Sequence, residues 1–236
     1  MAKKVLITGG NKGIGHYLTG KFLESSDSVI VVARDFTGFA YAGNERVRAI
    51  PYDLSNVDGI PDLVKEIGEI DILINNAGIA TGNYPETYTR EAAEYIVNLN
   101  LASPIKLISE YVPLFIERGY GRVVNITSQA GVFGHYDVWY GATKAGLINA
   151  TKSFASLYGK KGLVINSVAP GPVDVDVIRR SPKQDRFEKV KQRTILKRFA
   201  KPEEVADVVY WLAQESPEYL NGDNYLINNG TTSLDV

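Results

Sequence analysis

The sequence predicts one doubly wound α/β domain, a parallel sheet with helices on both faces. Three observations carry that expectation: short β-branched apolar runs recur along the chain, amphipathic helical patterns fill the gaps, and a glycine-rich turn follows the first run. The runs are Val5-Leu6-Ile7, Val29-Ile30-Val31-Val32, Ile72-Leu73-Ile74, Val123-Val124, Val164-Ile165 and Tyr225-Leu226-Ile227, with a weaker one at Val47 and Ile50. They are unbroken rather than alternating, as expected of strands covered on both faces of a sheet of about seven strands.

The gaps read as helices. Leu101, Ile105, Ile108, Val112 and Phe115 step by three or four into one apolar stripe, with Pro104 tolerated in a first turn and Pro113 expected to kink the helix. Val205, Val208, Val209 and Leu212 repeat the pattern. Pro202, Glu203 and Glu204 precede them, suiting a helix start where an N–H is not needed and negative charge meets the positive helix end. Residues 35–45 carry too much glycine and aromatic character for a helix. Strand alternating with helix implies right-handed βαβ units.

The chain has 236 residues, 44% of them apolar, enough for one substantial core; no linker or repeat divides it, so residues 1–236 are expected to form one domain. The formal net charge of −1 gives no general attraction to nucleic acid or an anionic membrane. The absence of cysteine excludes disulfides, thiolate metal sites and a cysteine nucleophile. Two histidines, His16 and His135, do not make a metal site, so no metal is expected. The short apolar run after Met1-Ala2-Lys3-Lys4 is far from a signal-peptide core or membrane span, and a cytoplasmic protein is expected. Charge is unevenly placed: residues 179–201 hold ten basic and two acidic residues. This segment, about 174–201, reads as a solvated helix face or as a basic cover over a site.

Thr8-Gly9-Gly10-Asn11-Lys12-Gly13-Ile14-Gly15 joins the first strand to a helical pattern near His16. Glycines at 9, 13 and 15 allow a tight turn, let backbone N–H groups approach a pyrophosphate, and let the helix pack close to the sheet. That is Rossmann-type chemistry, though a glycine-rich loop alone is a weak signal. Tyr140-Gly141-Ala142-Thr143-Lys144 puts a phenol and an ammonium four residues apart, on one helix face. A phenol with a pKa near 10 needs such a cation to act as an acid or base at neutral pH. Ser128 follows the Val123-Val124 strand and Asn75-Asn76-Ala77-Gly78 follows the Ile72 strand, both at carboxyl ends where doubly wound sheets bind ligands.

Taken together and in this order, the Thr8 to Gly15 loop, Asp53-Leu54, Asn75 through Gly78, Asn100-Leu101, Ser128, Tyr140 with Lys144, and Pro170-Gly171 resemble the short-chain dehydrogenase/reductase family over nearly the whole chain. The resemblance is greatest to 3-oxoacyl-(acyl-carrier-protein) reductases and carbonyl reductases. It implies a nicotinamide-dependent oxidoreductase. Tyr140 would pass a proton to or from the substrate oxygen, Ser128 would hold that oxygen, Lys144 would bind the nicotinamide ribose and lower the Tyr140 pKa, and Asn100 would hold a water linking Lys144 to solvent. Asn98 also precedes a leucine, but Asn100 keeps the family distance to Gly121 and Ser128, which leaves Asn98 an ordinary polar residue at a helix end.

The same resemblance places the cofactor against Gly9, Asn11, Lys12, Gly13, Ile14 and Gly15. Asp53 and Leu54 would lie beside the adenine, Asn76 near its ribose, and Tyr140, Lys144 and Val173 toward the nicotinamide. Where an acid at the end of the second strand would accept the 2′-OH and repel a 2′-phosphate, this chain has Ala33 followed by Arg34. Arg34 with Lys12 suits a 2′-phosphate, so NADP(H) is favoured. Asp35 keeps NAD(H) open, since a strand ending one or two residues later would bring it to the ribose. The family's frequent threonine after Pro170-Gly171 is Val175, the interval from Ser128 to Tyr140 is one residue short, and the tail reads Asn228-Asn229-Gly230.

The expected reaction is reduction of a ketone, with a 3-oxoacyl or other anionic carbonyl compound, carrier-linked or free, as one substrate class. An NAD(H)-dependent oxidation of a sugar or polyol is the alternative, and a non-catalytic NADP(H) sensor the remote one. The resemblance implies a homotetramer packed through the helices beginning near Leu101 and Tyr140, and it makes residues 174–201 a substrate lid. Asn125-Ile126-Thr127 matches a glycosylation triplet inside an apolar strand and reads as chance. Ser128 with His135 lacks the GxSxG setting of a hydrolase. His135, Tyr136 and Trp139 either line a substrate cleft or pack the helix start.

Overall fold

The computed structural model describes residues 2–175 and 184–231. Seven parallel strands form one sheet in the order β3-β2-β1-β4-β5-β6-β7. They are β1 (Lys4–Thr8), β2 (Ser28–Ala33), β3 (Val47–Pro51), β4 (Ile72–Asn75), β5 (Gly121–Ile126), β6 (Leu163–Pro170) and β7 (Asn224–Ile227). Between them run α1 (Gly13–Glu24), α2 (Ile60–Ile67), α3 (Arg90–Val97), α4 (Ser103–Arg118), the short α5 (Ala130–Phe133), α6 (Val138–Tyr158), α7 (Gln184–Gln192) and α8 (Pro202–Gln214).

The strands are apolar without a break because each face has its own core. Leu6, Leu73 and Val123 point to one side, against Leu63 of α2 and Leu107, Tyr111 and Phe115 of α4. Val5, Ile7, Ile74 and Val124 point to the other, against Leu18 and Phe22 of α1 and Val205 and Val209 of α8. Strand order reverses between β1 and β4, which pair with Val5 opposite Ile72 and Ile7 opposite Ile74. A cleft therefore opens above the carboxyl ends of β1 and β4, where chains leave the sheet in opposite directions.

Local departures from the expected elements have local causes. Helix α1 starts at Gly13, three residues before His16, and Gly13 itself takes φ +56, a left-handed conformation that a side chain would strain. Helix α4 runs through Pro113 to Arg118, its buried face holding it on the sheet. Asn98 does not end a helix: a wide, π-helical turn at Asn98–Ala102 links α3 to α4 without interruption. At α8, Glu204 accepts the Lys201 N–H at 2.7 Å and pairs with both Arg198 nitrogens at 2.7 Å, closing the helix start announced by Pro202. The Asn125 side chain is fully buried and donates to Thr151, out of reach of any glycosylating enzyme. No helix among the described residues is long and apolar enough to cross a membrane.

Candidate active site

The glycine loop folds tightly over the end of β1. Gly9, at φ +65, donates to Val32 O at 2.7 Å, and a Cβ on Gly15 would stand 2.1 Å from Gly9 O and 2.7 Å from Asn76 Nδ2. A side chain at 15 would thus displace backbone. Asn76 ties the loop from the neighbouring strand, its Nδ2 donating to Thr8 O at 2.9 Å and Gly9 O at 3.0 Å. Thr8 Oγ1 accepts the N–H groups of Asn76 and Ala77, both at 3.0 Å. Asn11 Nδ2 donates to Asp35 O at 2.7 Å. The loop leaves Ile14 on the cavity wall and Lys12 exposed.

Past β2 the chain presents a cation rather than an acid. The strand ends at Ala33, and Arg34 is exposed with Nη1 donating to Tyr95 OH at 2.7 Å. Asp35 turns away into its own turn, accepting from Thr37 N–H at 2.9 Å and Thr37 Oγ1 at 2.7 Å. These bonds, with a smaller pull from Lys12, hold its carboxyl below the ordinary value. Asp53 is exposed, one oxygen accepting the Ser55 N–H, whereas the Leu54 side chain is buried in the core.

One cavity of about 620 Å³ gathers Asn76, Ser128, Tyr140, Lys144 and Val173. Ser128 is carried just past the end of β5, and its Oγ accepts the Ala130 N–H at 3.1 Å. Tyr140 and Lys144 face the cavity from the first turns of α6. Lys144 is 4% exposed, and its Nζ donates to Ile126 O at 2.9 Å. Asn100, fully buried in the π-helical turn, accepts the Ile79 N–H at 2.9 Å and donates to Ile79 O at 2.8 Å. A Cβ on Gly78 would come within 3.1 Å of Asn100 Oδ1 and 3.2 Å of Lys144 Nζ. Only glycine there leaves these polar tips on the same small space.

Burial dominates the electrostatics of the pair. Burial pushes the Tyr140 phenol up; Ser128 offsets part of that and Asp137 adds to it. Burial also pushes the Lys144 ammonium down to about 8, and its Nζ lies 5.9 Å from the Tyr140 ring centroid. His135 and Tyr136 line the cavity, as expected of cleft residues, and the His135 ring meets Tyr140 edge-on at 5.5 Å. Trp139 is instead 41% exposed. Val175 lines the cavity with Cγ1 3.7 Å from where a Gly13 Cβ would stand.

Several lining residues were not singled out in the sequence, three of them within the expected cover at 174–201. Phe187, Val190 and Arg193 bring the region of α7 to the cavity, and Gln129 and Thr231 also line it. Arg179, Arg180 and Lys183 of the basic segment lie outside the described residues. Asp137 caps α6 by accepting the Tyr140 N–H at 3.0 Å. An aspartate three residues before Tyr140 is a helix-start signal that could have been read.

Comparison with known proteins agrees with this geometry. Residues 9–232 match the family described as Enoyl-(Acyl carrier protein) reductase. The chain is 32% identical to an acetoacetyl-CoA reductase of Rhizobium meliloti, over 98% of each chain. It is 31% identical to the 3-oxoacyl-(acyl-carrier-protein) reductase FabG of Thermotoga maritima, over 97% of each. Among solved structures, a 4-hydroxyisoleucine dehydrogenase mutant complexed with NADH and succinate superposes with a TM-score of 0.92 at 26% identity, covering 98% of this chain and 99% of that one. ElxO with NADP bound gives 0.89 at 27% identity, covering 99% and 100%. A glycine loop over the β1 end, a Ser-Tyr-Lys wall on one cavity and full-length similarity converge: the chain belongs to the short-chain dehydrogenase/reductase family and is an NAD(P)-dependent oxidoreductase acting on a carbonyl or alcohol.

Proposed function

We propose that this enzyme reduces a ketone to a secondary alcohol with NADPH, through Ser128, Tyr140, Lys144 and Asn100, and that residues 1–236 act as one catalytic domain. The observation that carries the reading is the convergence of Ser128, Tyr140 and Lys144 on one cavity beside the glycine loop. The bound dinucleotide supplies the hydride. Ser128 donates a hydrogen bond to the substrate oxygen, and Tyr140 delivers the proton to that oxygen as charge develops on it. A phenol held high by burial keeps its proton until the oxygen demands it. Lys144 binds the nicotinamide ribose, and Asn100 holds the Ile79 end of the loop that flanks Gly78. Ile14, the backbone at Gly9 and Gly13 through Gly15, and Val173 contact the dinucleotide, while Asn76 acts by pinning the loop. Asn11 serves likewise, through Asp35. Leu54 meets the adenine through its backbone, since its side chain is in the core, and Asp53 offers its carboxylate.

Exposed Lys12 and Arg34 with no acid at the end of β2 favour NADP(H), and Asp35 spends its carboxylate on Thr37. Arg193 at the cavity suits an anionic carbonyl substrate, free or linked to an acidic carrier, and residues 174–201 act as its lid. The resemblance to the acetoacetyl-CoA and 3-oxoacyl reductases supports that class. A homotetramer packed through α4 and α6, in the cytoplasm, completes the reading.

The test is the initial rate of NADPH oxidation, with NADH in parallel, on a β-ketoester and a diketone, with Tyr140→Phe as control. We expect NADPH to be preferred at least about tenfold, the worth of one charge-assisted contact, and turnover to vanish in the variant. Preference for NADH would overturn the Arg34 argument and shift the reading to polyol oxidation.

A further inference from the structure

Asp137 is fully buried, yet it lines neither the cavity nor an ion pair among the described residues. Its carboxylate collects five donors. Oδ2 accepts the Thr81 N–H at 3.0 Å, Thr81 Oγ1 at 2.9 Å and the Gly82 N–H at 2.9 Å. Oδ1 accepts the Tyr88 phenol at 2.6 Å and the Tyr140 N–H at 3.0 Å. Tyr88 OH is also 2.6 Å from Thr81 Oγ1. Four of these donors belong to the segment between β4 and α3, and the fifth is the backbone of Tyr140.

The same segment is held a second time, two residues away. Asn100 grips both backbone groups of Ile79, and its Nδ2 reaches Thr143 Oγ1 at 3.4 Å, which in turn donates to Tyr140 O at 2.8 Å. The turn of α6 that carries Tyr140 and Lys144 is therefore fastened to the loop after β4 from both sides.

We propose that Asp137 is a positioning residue for the reduction: its buried carboxylate locks the loop after β4 onto the first turn of α6 and so sets the Tyr140 phenol against Ser128 and the substrate oxygen. A buried carboxylate that is fully bonded is rigid, whereas one left short of a donor is costly. Burial pushes the Asp137 carboxyl up, but the bonds from Tyr88, Tyr140, Thr81 and Gly82 outweigh it and keep the group below the ordinary value, hence charged. The site is built for an acceptor alone. An asparagine has one oxygen for these five donors, and its N–H groups face a backbone N–H whichever way it turns: Tyr140 on one side, Thr81 and Gly82 on the other.

The proposal rests on Tyr140 being the proton donor, and the test separates the two. The full-length enzyme is assayed with NADPH and the β-ketoester as wild type, Asp137→Asn, Tyr88→Phe and Tyr140→Phe. Dinucleotide affinity and binding stoichiometry come from NADPH fluorescence, so that kcat is expressed per binding-competent site. A displacement of an ångström at a reacting group costs about 100-fold. Asp137→Asn is expected to lower kcat per site at least about tenfold with NADPH affinity within about twofold of wild type, and Tyr88→Phe, which removes one of the five bonds, about threefold. Loss of folded protein alone would lower the number of sites and leave kcat per site unchanged, which overturns the proposal. Should Asp137→Asn not fold, Tyr88→Phe decides by the same criterion. Turnover that survives Tyr140→Phe sinks the proton-donor reading instead.

Discussion

Replacing Lys144 with methionine should stabilise the fold while destroying the enzyme, and the stabilisation should depend on pH. Lys144 is 4% exposed, and burial pushes its ammonium from 10.5 down to about 8. At about 1.36 kcal/mol per pH unit, holding that charge inside costs folding about 3 kcal/mol at pH 7. Between pH 8 and 10.5 the native amine has lost its proton while the unfolded one keeps it, so stability rises with pH. The penalty falls to about 2 kcal/mol at pH 9 and below about 1 kcal/mol at pH 10. Methionine is unbranched, fills a similar space and carries no charge. It also forfeits the bond to Ile126 O, which offsets part of the gain. Comparing two pH values isolates the charge. Equilibrium urea unfolding of both proteins at pH 7 and pH 10 should show the variant's advantage over wild type shrinking by about 2–3 kcal/mol. An advantage that does not move with pH would refute the reasoning and mean that the ammonium is solvated in the folded protein.

Three further outcomes follow from the geometry. Gly15→Ala puts a methyl 2.1 Å from Gly9 O, so NADPH affinity, read by fluorescence titration, should fall at least about tenfold; unchanged affinity would mean the loop does not need that close approach. Tyr111→Phe removes a buried hydroxyl that has no partner among the described residues, and denaturant unfolding should show a gain of about 1 kcal/mol; a loss would reveal a partner for that oxygen. Arg193→Ala should raise KM for an acyl-CoA or other anionic ketone about tenfold and leave a neutral diketone unaffected; equal effects on both would remove Arg193 from anion recognition.

Much of this molecule was legible in its residues because the signals are local. Unbroken apolar runs such as Ile72-Leu73-Ile74 report burial on two faces, and the seven parallel strands follow from that pattern. The four-residue step from Tyr140 to Lys144 is a property of any helix, so their shared face needed no tertiary knowledge. Tertiary structure alone decided which distant groups meet. In the sequence Asp137 offers at most a helix-start signal, and only the fold brings Thr81, Gly82 and Tyr88 onto its carboxylate. Asn100 and Asn98 have equivalent neighbours in sequence, yet the π-helical turn buries one and leaves the other partly exposed. Asp35 sits where an acid could select NAD(H), but the end of β2 at Ala33 and the Thr37 turn set its direction. The pKa of Tyr140 belongs to this second group. Periodicity fixes which residues lie together on one element, whereas desolvation and long-range hydrogen bonds depend on what every other element places around them.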